Sequence, residues 1–344
     1  MSHPQMFPAL GANDALNHGA ELHEALHRYL CAQVAPLLAP GEANAGLCRY
    51  ALVSAGQCNE GVVAAAVRDH RLPDERLFMQ TPESDMADIG PWLIELPSTP
   101  GPELLDALAD MATSQSMTLL CSALRIPKLA EHLRSFMSGV LPDGSPVLLR
   151  WFDPRIGFDM LVHWPDAVRQ RFLAPLAWWA GWDGGFEFRR FSGAASGDGS
   201  SSSESIELDT RWLKAVDEVG EPQLIVALLL EEMEAAGSPA LLDLSRMHAW
   251  LRRQVARDAL VFARGAGLFG WDDRLLACRL ALTTHPKFYE HPAFGSVWSA
   301  TAPTRLVDVL AKLPARVHAG WAQDRQPALA RLCEELKVAL GAVN

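Results

Sequence analysis

Residues 119–164, LLCSALRIPKLAEHLRSFMSGVLPDGSPVLLRWFDPRIGFDMLVHW, constrain the fold more than any other part of this chain. The short apolar run over 119–122 reads as a buried strand. Pro127 suits the first turn of a helix, where its missing backbone donor does no harm. Leu129, Leu133, Phe136 and Met137 then recur at helical spacing, with Lys128, Glu131 and Arg134 turned to water. Pro142, Asp143 and Gly144 supply the fixed φ, the side-chain acceptor and the permissive backbone of a tight turn, so the chain reverses into a second strand over 147–152. Asp153 and Pro154 end that strand and open a further helix as N-cap and first helical residue.

The alternation continues upstream. Residues 50–53 read as a buried strand and 62–67 as the helix after it; 77–79 and 91–96 read as strands, and Pro102 opens a helix through Leu104, Leu105, Leu108 and Met111. Strands alternating with helices predict an α/β lobe, a mixed or parallel sheet with flanking helices and right-handed crossovers between sheet neighbours. Phe186, Phe188 and Arg190 alternate with Glu187 and Arg189, as an edge strand would. Ahead of the lobe, Leu22, Leu26, Tyr29, Leu30 and Val34 predict a helix ending before Pro36, behind a loose arm over 1–13; residues 40–46 read as a linker.

Residues 192–205, SGAASGDGSSSSES, contain no large apolar side chain and predict a flexible linker. Beyond them helical spacing holds over 205–219, 222–235, 239–264, 271–284, 303–313 and 327–340, with Pro222, Pro239, Pro303 and Pro327 read as helix starts. The run 224–230 is apolar all round and reads as an interior helix. The predicted organisation is an N-terminal arm and helix over 1–46, an α/β domain over 47–191, the linker over 192–205 and an all-α C-terminal lobe over 206–344.

A formal charge of -11 repels phosphate backbones, so nucleic acid is not an expected partner. Arg189, Arg190, Arg252, Arg253 and Arg257 read as solvated faces instead of a basic patch, the alternative being an anionic polymer or lipid site. No apolar run approaches the ~20 residues of a membrane span, and MSHPQMFPAL has no basic residue ahead of an apolar core, so a cytoplasmic protein without a membrane partner is expected. Cys31, Cys48, Cys58, Cys121, Cys278 and Cys333 form no C-x-x-C pair, and reduced thiols are expected.

Motifs with catalytic potential each have a plainer reading. Gly265, Gly267 and Gly270 satisfy G-x-G-x-x-G, but a long helix precedes them where a dinucleotide site needs a strand; a glycine C-cap before a helix starting at Trp271 and Asp272 is expected. His285, His291, Asp272 and Asp273 lack a metal-site spacing. His23 and His27 share a helix face at i and i+4 but read as a surface pair, without a cysteine or H-E-x-x-H pattern beside them. No metal or cofactor is expected. No G-x-S-x-G occurs. A hydrolase acting on a small molecule is the alternative enzyme reading, with Asp153 as acid, Arg155 as anion clamp and His132 as base. The favoured reading gives Asp153 a capping role and Arg155 an ion pair that fixes the loop. Trp178, Trp179 and Trp182 stand among glycines beside the linker and read either as core or as a presented aromatic surface.

Ser122, Leu129, His132 and Leu133, then the LPDG turn over 141–144, then Arg150, Phe152, Asp153, Pro154 and Arg155, resemble the DUF4123 family in order and spacing. Tyr50, Ala51 and Leu52, and Gly90, Pro91, Trp92 and Leu93, fall where that family has its first strand and its Gly-Pro-aromatic-Leu segment. The resemblance covers roughly 47–180. It implies a type VI secretion adaptor chaperone that holds a secreted effector protein and helps load it onto the VgrG spike, by stoichiometric binding and without turnover. Trp178, Trp179, Trp182 and Arg155 are the expected partner-binding residues, with Arg150, Asp153 and Pro154 as a structural motif. Neither catalysis nor a small-molecule substrate is expected.

Overall fold

The apolar run that begins at Met117 extends fully buried to Ser122 and forms a central strand of a six-stranded sheet. The computed structural model describes residues 14–39, 46–195, 206–301 and 305–341. The elements are, in chain order, α1 (Asp14–Leu38), β1 (Cys48–Ser54), α2 (Val62–His70), β2 (Asp74–Arg76), β3 (Pro91–Leu96), α3 (Pro102–Thr113), β4 (Met117–Ser122), α4 (Ile126–Arg134), β5 (Ser138–Val140), β6 (Pro146–Leu148), α5 (Pro154–His163), α6 (Asp166–Leu173), β7 (Leu176–Trp182), β8 (Phe188–Ser192) and β9 (Ile206–Glu207). Helices follow: α7 (Thr210–Ala235), α8 (Pro239–Arg246), α9 (Ala249–Gly265), α10 (Trp271–Thr283), α11 (Pro292–Thr301), α12 (Leu306–Leu310) and α13 (Ala315–Gly341). An α/β N-terminal region is thus followed by a helical C-terminal one.

The main sheet has the order β2-β3-β1-β4-β7-β8, and every pairing in it is antiparallel. The single parallel pairing among the described strands joins β5 to β9 in a small sheet of order β6-β5-β9. The parallel form of the expected sheet is therefore not the one adopted. Helical crossovers are present, but between strands that are not neighbours. β3 and β4 are both antiparallel to β1, so α3 links two parallel strands with β1 between them. α2 links β1 to β2 in the same way, with β3 between. Strand–helix alternation sets how each connection is made; it does not set which strand is inserted between the two ends.

One sheet face carries Tyr50, Leu52, Leu93, Leu120 and Trp179, which pack with Leu129 and Leu133 of α4, Phe158 and Leu161 of α5 and Phe172 of α6. Trp151, Phe152 and Phe136 complete this core, where Phe172 lies edge-on to Trp151, Phe136 and Trp164. The other face carries buried Ala51, Val53, Ile94, Leu119, Cys121 and Trp178, and α3 packs on β4 there. β2 forms at Asp74–Arg76, ahead of the expected 77–79, because Leu77 and Phe78 enter the core from a turn.

Two compact units divide the chain: His27–Gly220, and the described residues up to Leu26 together with those from Glu221 on. Most of the expected linker, residues 196–205, lies outside the described residues, as do the arm over 1–13 and residues 40–45. Past that segment, β9 pairs with β5 and Trp212 joins the core of the α/β unit.

Proline misled the helix boundaries. α1 continues through Pro36, α7 through Pro222 and α13 through Pro327. An internal proline costs one hydrogen bond and a clash, about 3 kcal/mol. In α13 the burial of Val317 and Trp321 before it and of Leu329, Leu332 and Cys333 after it outweighs that cost. The expected single helix over 239–264 breaks at Met247, whose extended backbone lets the His248 ring accept the Trp250 N–H and cap α9. The 224–230 run is amphipathic: Ile225, Val226 and Leu229 are buried, whereas Leu224 and Leu228 are exposed. Gly265 ends α9, Gly267 takes a φ of +78° and Gly270 precedes α10, which is a helix–turn–helix corner. Arg253 is buried and Arg252 donates to the Leu244 and Ser245 carbonyls, so these two arginines do not form the solvated face expected of them.

Candidate functional site

Four polar residues of the family-like pattern, Tyr50, Ser122, His132 and Asp153, are buried, and each fastens a different connection. The Tyr50 hydroxyl donates to the Leu124 carbonyl over 2.7 Å, at the exit of β4, and burial pushes its pKa well up. Ser122 donates to the Pro175 carbonyl over 2.7 Å and accepts the Leu124 N–H, so one hydroxyl joins the entry to α4 to the entry to β7. His132 Nε2 lies 2.9 Å from the Phe172 carbonyl at the end of α6. Burial lowers its pKa, so the neutral ring donates there. A buried polar group is tolerated when it is hydrogen-bonded, and these bonds close chain segments that the sheet itself leaves open.

Asp153 is the densest node. One carboxylate oxygen accepts the Arg155 N–H at 3.1 Å, capping α5, and also Arg155 Nε at 2.9 Å; the other accepts Arg155 Nη2 at 2.8 Å and Arg150 Nη2 at 2.9 Å. Burial alone would raise its pKa, but the hydrogen bonds and charge of Arg155, with Arg150, hold the carboxyl below its usual value. Pro154 occupies the first turn of α5. Gly157 follows in that helix, and a Cβ there would lie 2.8 Å from the Trp151 carbonyl carbon. Gly90 has a like reason, since a Cβ would enter the Phe78 ring. In the LPDG turn, Gly144 takes a φ of +85° and Asp143 accepts the Ser145 N–H at 2.9 Å.

Asp153 and Arg155 are therefore closed on each other, and His132 is committed to the Phe172 carbonyl. Among the described residues, two clefts away from these groups are lined by none of the three. One, of about 290 Å³, is bounded by His163, Pro165, Asp209 and Trp212; the other, of about 320 Å³, by His285, His291, Asp324 and Arg331. In the latter, His285 pairs with Asp324 at 3.2 Å, while Asp272 and Asp273 belong to the first turn of α10.

The tryptophan group is core, which corrects its placement on a binding surface. Trp179 is wholly buried, donates to Thr118 Oγ1 over 2.9 Å and has its ring centroid 4.5 Å from that of Phe158. Trp178 and Trp182 are buried on the opposite face, under side chains of β8: the Arg190 guanidinium stands 5.4 Å from the Trp178 ring, and Phe188 lies 5.6 Å from Trp182. β7 is an interior strand between β4 and β8, and every residue in it except Ala177 is buried.

What the group does present is its roof. β8 pairs with β7 alone among the described strands, leaving its outer backbone edge open. Along it Phe188, Arg189 and Arg190 are exposed, and Phe188 keeps 38% of its surface. Arg189 is braced by Asp183, which also accepts the Gly185 and Glu187 N–H groups and so holds the β7–β8 turn. An edge strand offers a row of main-chain donors and acceptors to an extended peptide. Periodicity revealed β8 as an edge; nothing local in the sequence revealed that its neighbour's tryptophans lie beneath it.

Fold and pattern together define an α/β domain with an antiparallel six-stranded sheet, fastened at one core by Tyr50, Ser122, His132 and Asp153. Residues 49–171 match the family model described as "Domain of unknown function (DUF4123)", which is the family this part of the chain is similar to. The matched segment ends in α6, before β7 and β8. No curated protein and no solved structure matches the chain. Among the described residues no helix is long and apolar enough to cross a membrane.

Proposed function

We propose that this protein is an adaptor chaperone of type VI secretion: it binds an effector protein in the cytoplasm and helps load it onto the VgrG spike, by stoichiometric association without turnover. The observation that carries the reading is the family match over residues 49–171, which includes Arg150, Phe152, Asp153, Pro154 and Arg155 at the expected order and spacing. The engagement of those groups in tight structural pairs suits a scaffold that presents a surface. The open edge of β8 supplies a means of capture, in which an extended effector segment adds a strand beside Phe188–Ser192 and meets Phe188 and Arg190 on one face. Main-chain bonds would give affinity, and the alternating side chains specificity.

The test is co-purification of the tagged full-length protein from its own cells, with identification of stoichiometric partners. A toxin-like effector recovered together with a spike protein is the expected result. Absence of any protein partner across a range of salt, together with a rise in melting temperature on adding a small molecule, would overturn the adaptor reading.

A further inference from the structure

His27 and Cys31 stand one helical turn apart on α1, and Asp106 and Asp110 one turn apart on α3, all within the α/β unit. Residues four apart share a helix face, so each helix offers two donors to the other. Cys31 Sγ lies 3.7 Å from His27 Nδ1 and 3.7 Å from Asp106 Oδ1, and the three ligand atoms all fall within 4.8 Å of one another. Bond lengths of about 2.3 Å to sulfur and about 2.0 Å to nitrogen or oxygen place the donors of a tetrahedral zinc ion about 3.5 Å apart along each edge that includes sulfur. The observed separations are within a few tenths of an ångström of that.

A second feature supports a metal independently of the ligand spacing. Asp110 Oδ1 lies 3.1 Å from His27 Nε2. A ligating histidine characteristically gives its other ring N–H to a carboxylate, which fixes the tautomer and turns the free nitrogen to the metal. With Nε2–H directed at Asp110, Nδ1 is the nitrogen left without a proton, 3.7 Å from Cys31 Sγ against 3.9 Å for Nε2. The carboxylates of Asp106 and Asp110 both face the His27–Cys31 pair, an arrangement of negative charge that suits a cation. His27 and Cys31 are half-buried and Asp106 is exposed, which leaves solvent access.

We propose that His27 Nδ1, Cys31 Sγ and Asp106 Oδ1 form a binding site for a divalent cation of zinc type, with Asp110 as the outer carboxylate that orients the imidazole. Thiolate with imidazole selects a borderline-soft ion over magnesium or calcium. Three protein ligands leave the fourth position to water. The cation replaces the Cys31 thiol proton, which passes to solvent, and the site staples the C-terminal half of α1 to α3. His27 and Cys31 precede the segment that matches the family model, whereas Asp106 and Asp110 lie within it.

The test uses the full-length protein stripped with a chelator and titrated with Zn²⁺ or Co²⁺. One equivalent of zinc should bind, and cobalt should develop a thiolate charge-transfer band in the near ultraviolet. Cys31→Ser should abolish that band, Asp106→Ala should weaken binding at least tenfold, and Asp110→Ala should weaken it roughly 10–100-fold. His23→Ala, one turn further along α1, should leave affinity unchanged. Circular dichroism of each variant separates loss of the site from loss of the fold. Zinc binding undiminished in Cys31→Ser, or a cobalt complex without the thiolate band, would overturn the assignment.

Discussion

The backbone carbonyl of Trp151 occupies the space that a side chain at Gly157 would need, closer than any real Cβ contact allows. Since Gly157 also donates to the Asp153 carbonyl over 2.7 Å in the first turn of α5, neither partner is free to withdraw. Trp151 is fully buried among Phe152, Phe172 and Trp179. Gly157→Ala should therefore destabilise the protein by about 3 kcal/mol, within the range of overpacked cores, despite alanine's better helix propensity. Urea unfolding would show this as a lower midpoint; an unchanged or raised midpoint would mean that the loop ahead of α5 yields easily.

Asp153 offers a second measurement. Asp153→Asn keeps the shape and an acceptor for the cap but removes the charge between Arg150 and Arg155, and breaking such a pair costs about 3–5 kcal/mol when the survivors stay buried. Arg150 is about half exposed, so the lower figure is expected. The sign with pH follows from the lowered carboxyl: its contribution is present above the unfolded value of 3.8 and is lost as pH falls through the lower folded value. Wild type should keep this contribution at pH 5, and the gap between wild type and Asp153→Asn should close only below pH 3.8.

Trp179 and Phe188 should separate stability from capture. Trp179→Ala empties the centre of the aromatic core and should cost about 3–5 kcal/mol. Phe188→Ala, on the exposed edge, should change stability by less than about 1 kcal/mol yet reduce recovery of the protein partner in co-purification. Partner recovery equal to wild type with Phe188→Ala would remove β8 from the binding surface.

In the helical unit, acid should act through His248. Its Nδ1 accepts the Trp250 N–H, and burial, with His23 and Arg252 nearby, lowers its pKa to about 4. A depressed histidine contributes fully above its unfolded value of 6.5, and the contribution is lost progressively as pH falls toward 4. Up to roughly 3 kcal/mol is at stake, at about 1.4 kcal/mol per unit. His248→Asn, which keeps an N-cap acceptor, should flatten the loss of stability between pH 6.5 and 4; a slope identical to wild type would place the acid sensitivity elsewhere.

Much of the α/β unit was legible because its signals are local. Asp153 and Pro154 at the start of α5, the Pro142–Asp143–Gly144 turn, Pro127 in the first turn of α4 and the alternation in β8 each depend on groups within a few residues, and fixed φ or a short side-chain acceptor acts in any context. The same locality failed at Pro222 and Pro327, where burial on both sides of the proline outweighs a broken hydrogen bond. It failed again for Trp178, Trp179 and Trp182, because a tryptophan's exposure is set by whatever strand covers it. His27 reads as a surface residue from its own helix face, although Cys31 is one turn along the same helix, because its carboxylate partners lie on α3, far along the chain. By itself the sequence determined where strands and helices alternate, how the loop before α5 is capped, and which family pattern it carries, since these rest on short-range sterics and hydrogen bonds. Only the tertiary structure decided that β1 and β3 are inserted between crossover ends, that Trp178 and Trp182 are covered by Arg190 and Phe188, and that α1 and α3 bring a thiol, an imidazole and two carboxylates together. Those outcomes depend on which distant surfaces exclude water from one another, a property that no stretch of neighbouring residues encodes.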